Sequence, residues 1–399
     1  GQQKFSSSTF TYSSCTTCTA LATSATTTDI ALPRASSTSA WPYRMAITID
    51  KTKVSGTTAL ANFPVLVAAT TTAWKHTSFS GHVGIASGTD IYFTQSDGFT
   101  KLDHEIESYT SSTGALVAWV RVPSLATSTD TTLYLYYGNA SSTDQQNKTG
   151  VWDANYKAVY HLKESTTSTG PYIIDSTSNA WNASSTGSSY PTPTSTGQIA
   201  GAQSFDGSND YLDAALGQTY TTRTVSFWFN IASYSAPSDH VPYGDGTTWQ
   251  GFSAQTAGNL RYHNSAGSAI LTWSGMATGT WAYVTLVAAS GTQMELFGNG
   301  VSKETTATVT TGASTVTFGT RTDHTVPFSG RMDEVRISNV ARSAAWIATE
   351  YNNQSSPSTF ITFGSEQSNQ QTPVAADLYW GLAVPSGTAP FAYTGTNTF

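Results

Sequence analysis

The sequence predicts an all-β protein: two consecutive β-sandwich or jelly-roll domains, with terminal tails that can also form strands. Three observations carry this. Ser and Thr make up 119 of 399 residues and aromatics 12%, against only 11% charged residues, a balance that suits pleated, half-exposed surfaces and has too many large apolar anchors for disorder. Alternating apolar and polar runs, each closed by Gly, Asn, Asp or Pro, recur from Trp41 to Phe363. Helical spacing is confined to Ser343–Gln354, where Ala, Trp, Ile and Tyr recur on one face; a single short helix is expected there, after the last strand.

Residues 1–40 contain 19 Ser or Thr and cannot build a core alone. Their only cysteines, Cys15 and Cys18, lack the second ligand pair of a zinc site and the βαβ setting of a redox motif. A local disulfide closing a tight loop in an oxidising compartment is expected. From Trp41 the runs YRMAITID, FPVLVAA, DIYFTQSDGFTKLDHEIESY, ALVAWVRVPSL and TLYLYYGNASS predict a first sandwich over 41–152. A second domain, 153–365, opens with AVYHLKES and contains SFDGSNDYLDA, TVSFWFN and RMDEVRISNV. In TVSFWFN, Val225, Phe227 and Phe229 alternate with Ser226 and Trp228 as in a half-buried strand; Met332, Val335 and Ile337 supply a buried strand that also carries Asp333 and Glu334. Residues 366–399 read as a linker and a β-hairpin, with Leu378, Trp380 and Leu382 alternating before a Pro-Ser-Gly turn and Phe391 and Tyr393 after it. An isolated hairpin is marginal in water, so these strands must join a sheet, in this chain or in another copy.

Two resemblances follow from these residues. FDGSNDYLD, SFWF and DEVRISN are similar to the landmarks of the laminin-G-like, concanavalin-A-like jelly-roll family, over Tyr156–Phe363. WPYRMAITID, NFPVLV, KLDHEIE, AWVRVPSL, LYLYYGNA and VWDANYKAVYHLKES resemble the bacterial surface module known as domain of unknown function 2341. The first resemblance implies a calcium ion held by Asp175 and Asp333, and Asn179 adds an amide oxygen to the same oxygen-rich loop. The alternative is that Asp175 caps a turn and Asp333 pairs with a cation such as Arg331.

Other candidates are weighed on the residues alone. The acidic run Asp206–Asp213 is explained by turn chemistry. Glycan recognition needs aromatic faces beside amide and acid groups, and His240, Tyr243, Trp249, Tyr262 and His263 lie in polar stretches around Asp245 and Asn264. Hydrolysis is not expected: Glu105 and Glu107 share a strand face but read as solvated, and no Gly-x-Ser-x-Gly elbow occurs. Four glycosylation sequons, at Asn139, Asn147, Asn182 and Asn353, are within what this much Ser and Thr produces by chance. A net charge of −7 offers no basic stripe for nucleic acid. No run approaches the ~20 apolar residues of a membrane span, and the first residues lack a signal-peptide layout, so a removed leader and an extracellular or cell-surface location are expected. The sequence therefore points to a non-enzymatic structural or adhesive surface protein, assembled with other copies into a filament or layer through its terminal strands. The alternative is a carbohydrate-binding lectin or adhesin that acts without polymerising.

Overall fold

Strand alternation sets the first domain. In β1 (Tyr43–Ile49) Met45, Ile47 and Ile49 are buried and the residues between them half-buried, so one face of the strand looks into a core. The computed structural model describes residues 41–165, 173–233, 239–246, 249–255, 258–289 and 291–369. Cys15, Cys18, Leu378, Trp380, Leu382, Phe391 and Tyr393 lie outside the described residues.

After β1 come β2 (Leu60–Thr70), β3 (Tyr92–Gln95), β4 (Lys101–Leu102), β5 (His104–Thr110), β6 (Ala115–Leu125), β7 (Thr131–Tyr137) and the short helix α1 (Lys148–Val151). The second sandwich begins with β8 (Tyr156–Tyr160), β9 (Thr192–Thr194), β10 (Ala202–Asp206), β11 (Leu212–Ala215) and β12 (Arg223–Ile231). It continues through β13 (Asp239–Gly244), β14 (Gly251–Gln255), β15 (Asn259–His263), β16 (Ala269–Trp273), β17 (Ala282–Ala289), β18 (Gln293–Gly298) and β19 (Val301–Thr306). The chain ends its described part with β20 (Thr315–Phe318), β21 (Ser329–Ser338), α2 (Ala344–Ser355), α3 (Pro357–Phe360) and β22 (Ile361–Ser368).

Two antiparallel sheets form each sandwich. In the first, β22-β1-β7-β3-β4 packs on β2-β6-β5. In the second, β19-β18-β17-β12-β21-β10-β9, joined by β8 along β21, packs on β11-β20-β13-β14-β15-β16. The fold is all-β, as the alternation predicts.

Three departures from the sequence reading matter. The helix at Ser343–Gln354 forms, with the Ser343 hydroxyl accepting from Trp346 N, but it is neither the sole helix nor the end of the structure. After it the chain returns to the first sandwich: β22, expected in the second domain and its linker, pairs with β1 from Tyr43↔Ser368 to Ile49↔Ile361. The third departure is β12, which is buried on both faces. Val225, Phe227, Phe229 and Ile231 enter the second core, while Trp228 on the other face donates to Gln354 of α2 at 2.6 Å.

Helix α2 thereby works as a spacer between the sandwiches. Strand β2 is an edge strand, and its exposed peptide groups need partners. Asn353 supplies both: its Oδ1 accepts from Leu66 N at 2.7 Å and its Nδ2 donates to Leu66 O at 3.0 Å. This asparagine heads one of the four sequons, yet it is buried and cannot carry a glycan in the folded chain. Replacing it with alanine strands two buried backbone groups, so Asn353→Ala should lower the unfolding free energy by about 2–4 kcal/mol. A change under about 0.5 kcal/mol in urea titrations would show that the β2 edge does not depend on it.

His104 sets a pH limit on the first core. It is buried edge-on to Phe93 at 5.2 Å, and burial, helped by the Lys101 charge, lowers its pKa from 6.5 to about 4. Because the unfolded chain takes up this proton more readily, stability present above pH 6.5 is lost as pH falls toward about 4. Acid unfolding of His104→Leu, compared with the parent between those values, should lack a contribution on the order of 3 kcal/mol. Parallel curves for the two proteins would remove His104 as the cause.

Candidate functional site

Two places in the described residues concentrate chemistry. The first is a buried seam of charge between the sandwiches. Strand β5 turns His104 and Ile106 into its own domain and presents Glu105 and Glu107 toward the second. Opposite them, β21 carries a bulge. Its register with β12 shifts between Ser226 and Trp228, Glu334 has φ +53°, and Met332 and Val335 both enter the core. Asp333 and Glu334 are thereby released from strict alternation. On the other edge of β21, β10 covers Ser329–Met332 and β8 covers Val335–Ser338, so neither strand covers the bulge.

His161, just after β8, fills the space between. Its ring stacks on Trp119 at 5.9 Å and lies 5.8 Å from Trp152. Nδ1 is 2.6 Å from Glu334 Oε1 and 3.6 Å from Glu107 Oε2, and Nε2 is 3.3 Å from Glu105 Oε2. Each carboxylate has further partners. Glu105 accepts from Trp152 Nε1 at 3.0 Å and Ser176 Oγ at 2.7 Å, Glu107 from Trp119 Nε1 at 2.8 Å, and Glu334 from Arg336 Nη2 at 2.7 Å. Arg336 also reaches Glu350 at 2.6 Å, and its guanidinium lies 4.2 Å over the Trp119 ring.

The protonation states follow from these contacts. Burial pushes Glu107 up to about 8, reinforced by the Glu334 charge. Burial acts the same way on Glu105, but the His161 charge and hydrogen bonds from His161, Ser176 and Trp152 outweigh it and hold the carboxyl near 2. Burial disfavours charge on His161, yet Glu334, Glu105 and Glu107 together raise its pKa well above the ordinary value. Glu105 and Glu107 are thus not the solvated strand face that their spacing suggests. The stacking of one sandwich on the other buries them, and spacing within one strand carries no trace of that. The available signal is weaker: two acids and a histidine inside otherwise apolar strand runs, HEIESY and AVYHL.

The residues expected to hold calcium are engaged separately. Asp175 Oδ1 accepts from Val159 N and Thr177 N, and Oδ2 from Thr177 Oγ1 and Trp181 N, all at 2.9–3.0 Å. Asn179 donates to Lys157 O at 2.9 Å. Asp333 faces Ile199 N at 2.8 Å instead, and Arg331 donates to Thr196 rather than pairing with it. With donors pointed at both Asp175 oxygens, this set does not fit a calcium ion, which needs free lone pairs; the residue organises its turn. The acidic run 206–213 is likewise a turn, with Asp206 accepting from Ser208 N and Asp210 from Asp206 N.

The second place is a surface pocket of about 170 Å³ on the six-stranded sheet, lined by Trp249, Gln250, Phe252, Ser253, His263 and Arg321 among others. Trp249 is 50% exposed, and the Arg321 guanidinium sits 3.7 Å from its ring centre. Gly267, at φ +80°, backs the indole so closely that a Cβ there would lie 3.3 Å from it. His263 Nδ1 is 3.0 Å from Gly267 O and so carries a proton, which leaves Nε2 of a neutral ring to accept from Ser253 Oγ at 2.9 Å. Arg321 enters no ion pair among the described residues. Of the five residues expected to bind glycan, only Trp249 and His263 line this pocket. Tyr243 and Tyr262 are core residues, Tyr262 donating to Asp245 at 2.7 Å beside Arg223, and His240 is buried. They lie on the inward side of the strands, which polar neighbours in sequence do not reveal.

Both regions match known families. Residues 205–348 match the concanavalin A-like lectin/glucanases superfamily, in its laminin-G form, and residues 87–183 match the domain of unknown function DUF2341. The chain therefore carries a DUF2341 domain followed by a lectin-like, concanavalin-A-like domain, in the order the motifs resemble. No curated protein matches it. Among solved structures, it is similar to the receptor binding domain of botulinum neurotoxin D, at 14% identity over 50% of this chain and 53% of that one, with a TM-score of 0.39. It is similar also to the botulinum neurotoxin type G receptor binding domain, at 13% identity over 50% and 52%, TM-score 0.38. The chain spans about half the length of these structures.

Arg336 is the cation on which the seam depends. Arg336→Met would leave Glu334 and Glu350 buried without their guanidinium and should destabilise the chain by about 3–5 kcal/mol. Thermal unfolding with tryptophan fluorescence is the direct check, since Trp119 and Trp152 frame the site; an unchanged transition would mean the ion pairs contribute nothing.

Proposed function

We propose that this chain is an extracellular, glycan-binding protein of the lectin-like type, whose second sandwich takes a sugar bearing an anionic group at the Trp249–Arg321 pocket. The observation that carries this reading is a half-exposed tryptophan braced by a glycine and paired with an arginine that enters no ion pair among the described residues. An indole suits the C–H face of a pyranose, and a guanidinium free of an ion pair suits a carboxylate or sulfate in a bidentate contact. Gln250 and Ser253 add polar groups for hydroxyls, although Gln250 already donates to Thr311 O at 2.8 Å. The pocket is small, which favours one terminal sugar over a long chain. The terminal segments that the sequence assigns to self-assembly take no part in this reading, and neither does calcium.

A glycan array that pairs acidic and neutral sugars, followed by calorimetry on the best ligand, tests it. Trp249→Ala and Arg321→Ala should each weaken binding at least about tenfold, and Arg321→Ala should narrow the gap between acidic and neutral ligands. No bound glycan, or a ligand indifferent to both substitutions, would defeat the proposal.

A further inference from the structure

We propose that the seam between the sandwiches is a binding site for one divalent transition-metal cation of zinc's type, held by His161 Nδ1, Glu107 and Glu334. These three residues each offer one ligand atom within 4.8 Å of the others, and all three are buried. The sites in the chain are far apart in sequence, so an ion there would tie the first sandwich to the second.

One oxygen of the cluster points independently to a missing ligand. Glu107 Oε1 is buried without a hydrogen-bond partner among the described residues, although Glu107 Oε2 accepts from Trp119 Nε1. Natural interiors leave few such acceptors empty, because each costs roughly 1–3 kcal/mol.

The surroundings also have the form of a metal site. A ligating imidazole normally donates its other N–H to an oriented carboxylate. Here that acceptor is Glu105, 3.3 Å from Nε2 and itself fixed by Trp152 and Ser176. One imidazole and two carboxylates match zinc and its neighbours, whereas calcium seeks six to eight oxygens. A cleft of about 520 Å³, lined by Glu107, Ser108, Lys163, Thr194 and Gly201, meets the cluster at Glu107.

The test uses tag-free protein stripped by a chelator and titrated with Zn²⁺ or Ca²⁺ by calorimetry. One Zn²⁺ per chain is expected, with Kd on the order of micromolar or tighter, no comparable Ca²⁺ binding, and a raised melting temperature in Zn²⁺. Glu107→Gln keeps the shape of the side chain and should weaken zinc at least about tenfold. Co²⁺ titrated into the unsubstituted chain should shift the His161 ring signals in NMR, a reading that stands even where the variant fails to fold. Absence of stoichiometric zinc, a preference for calcium, zinc binding unaffected by Glu107→Gln, or a His161 ring unmoved by Co²⁺ would each overturn the proposal.

Discussion

The ion chain His161–Glu334–Arg336–Glu350 is the interaction around which the two sandwiches are arranged. Charges of this kind survive burial only when they are paired, and the partners come from everywhere: β5, the residue after β8, the β21 bulge, α2, and the indoles of Trp119 and Trp152. Its cost in desolvation is offset by a second consequence. The outer face of the eight-stranded sheet, which an isolated jelly roll would leave to water, becomes the floor of a shared interior, and Trp228 on β12 is buried there against α2. The two domains are thus closer to one unit with two cores than to beads on a string.

The surface pocket and the seam obey opposite rules. At the pocket, Arg321 keeps its guanidinium half-buried over an indole and enters no ion pair among the described residues. At the seam, Arg336 is paired with two buried carboxylates, Glu334 and Glu350, and its charge is spent internally. Two arginines over tryptophans have opposite meanings, and exposure and pairing decide between them.

Much of the fold was legible because strand alternation is a local property. Val225, Phe227 and Phe229, or Met332, Val335 and Ile337, announce a sandwich core in the residues themselves, and both sets lie in that core. The site was less legible, for a physical reason. Whether Glu105 faces water or His161 depends on a domain contact 56 residues away in sequence, and whether Tyr262 faces a sugar or Asp245 depends on which side of a sheet is covered. Neither is written in the spacing of one strand. Trp249 was identifiable because an exposed tryptophan in a polar turn has few structural uses. Arg321, its partner, was not, because nothing in the sequence marks an arginine that lacks a counter-charge.

The return of β22 to β1 has a consequence for how the chain is made. The first domain opens at Trp41, yet its five-stranded sheet lacks the strand beside β1 until residues 361–368 arrive, after the whole lectin-like domain has been synthesised. A nascent chain therefore carries an open strand edge through most of translation, at roughly 5–20 residues per second. During that interval β1 is a template for any compatible strand that reaches it first.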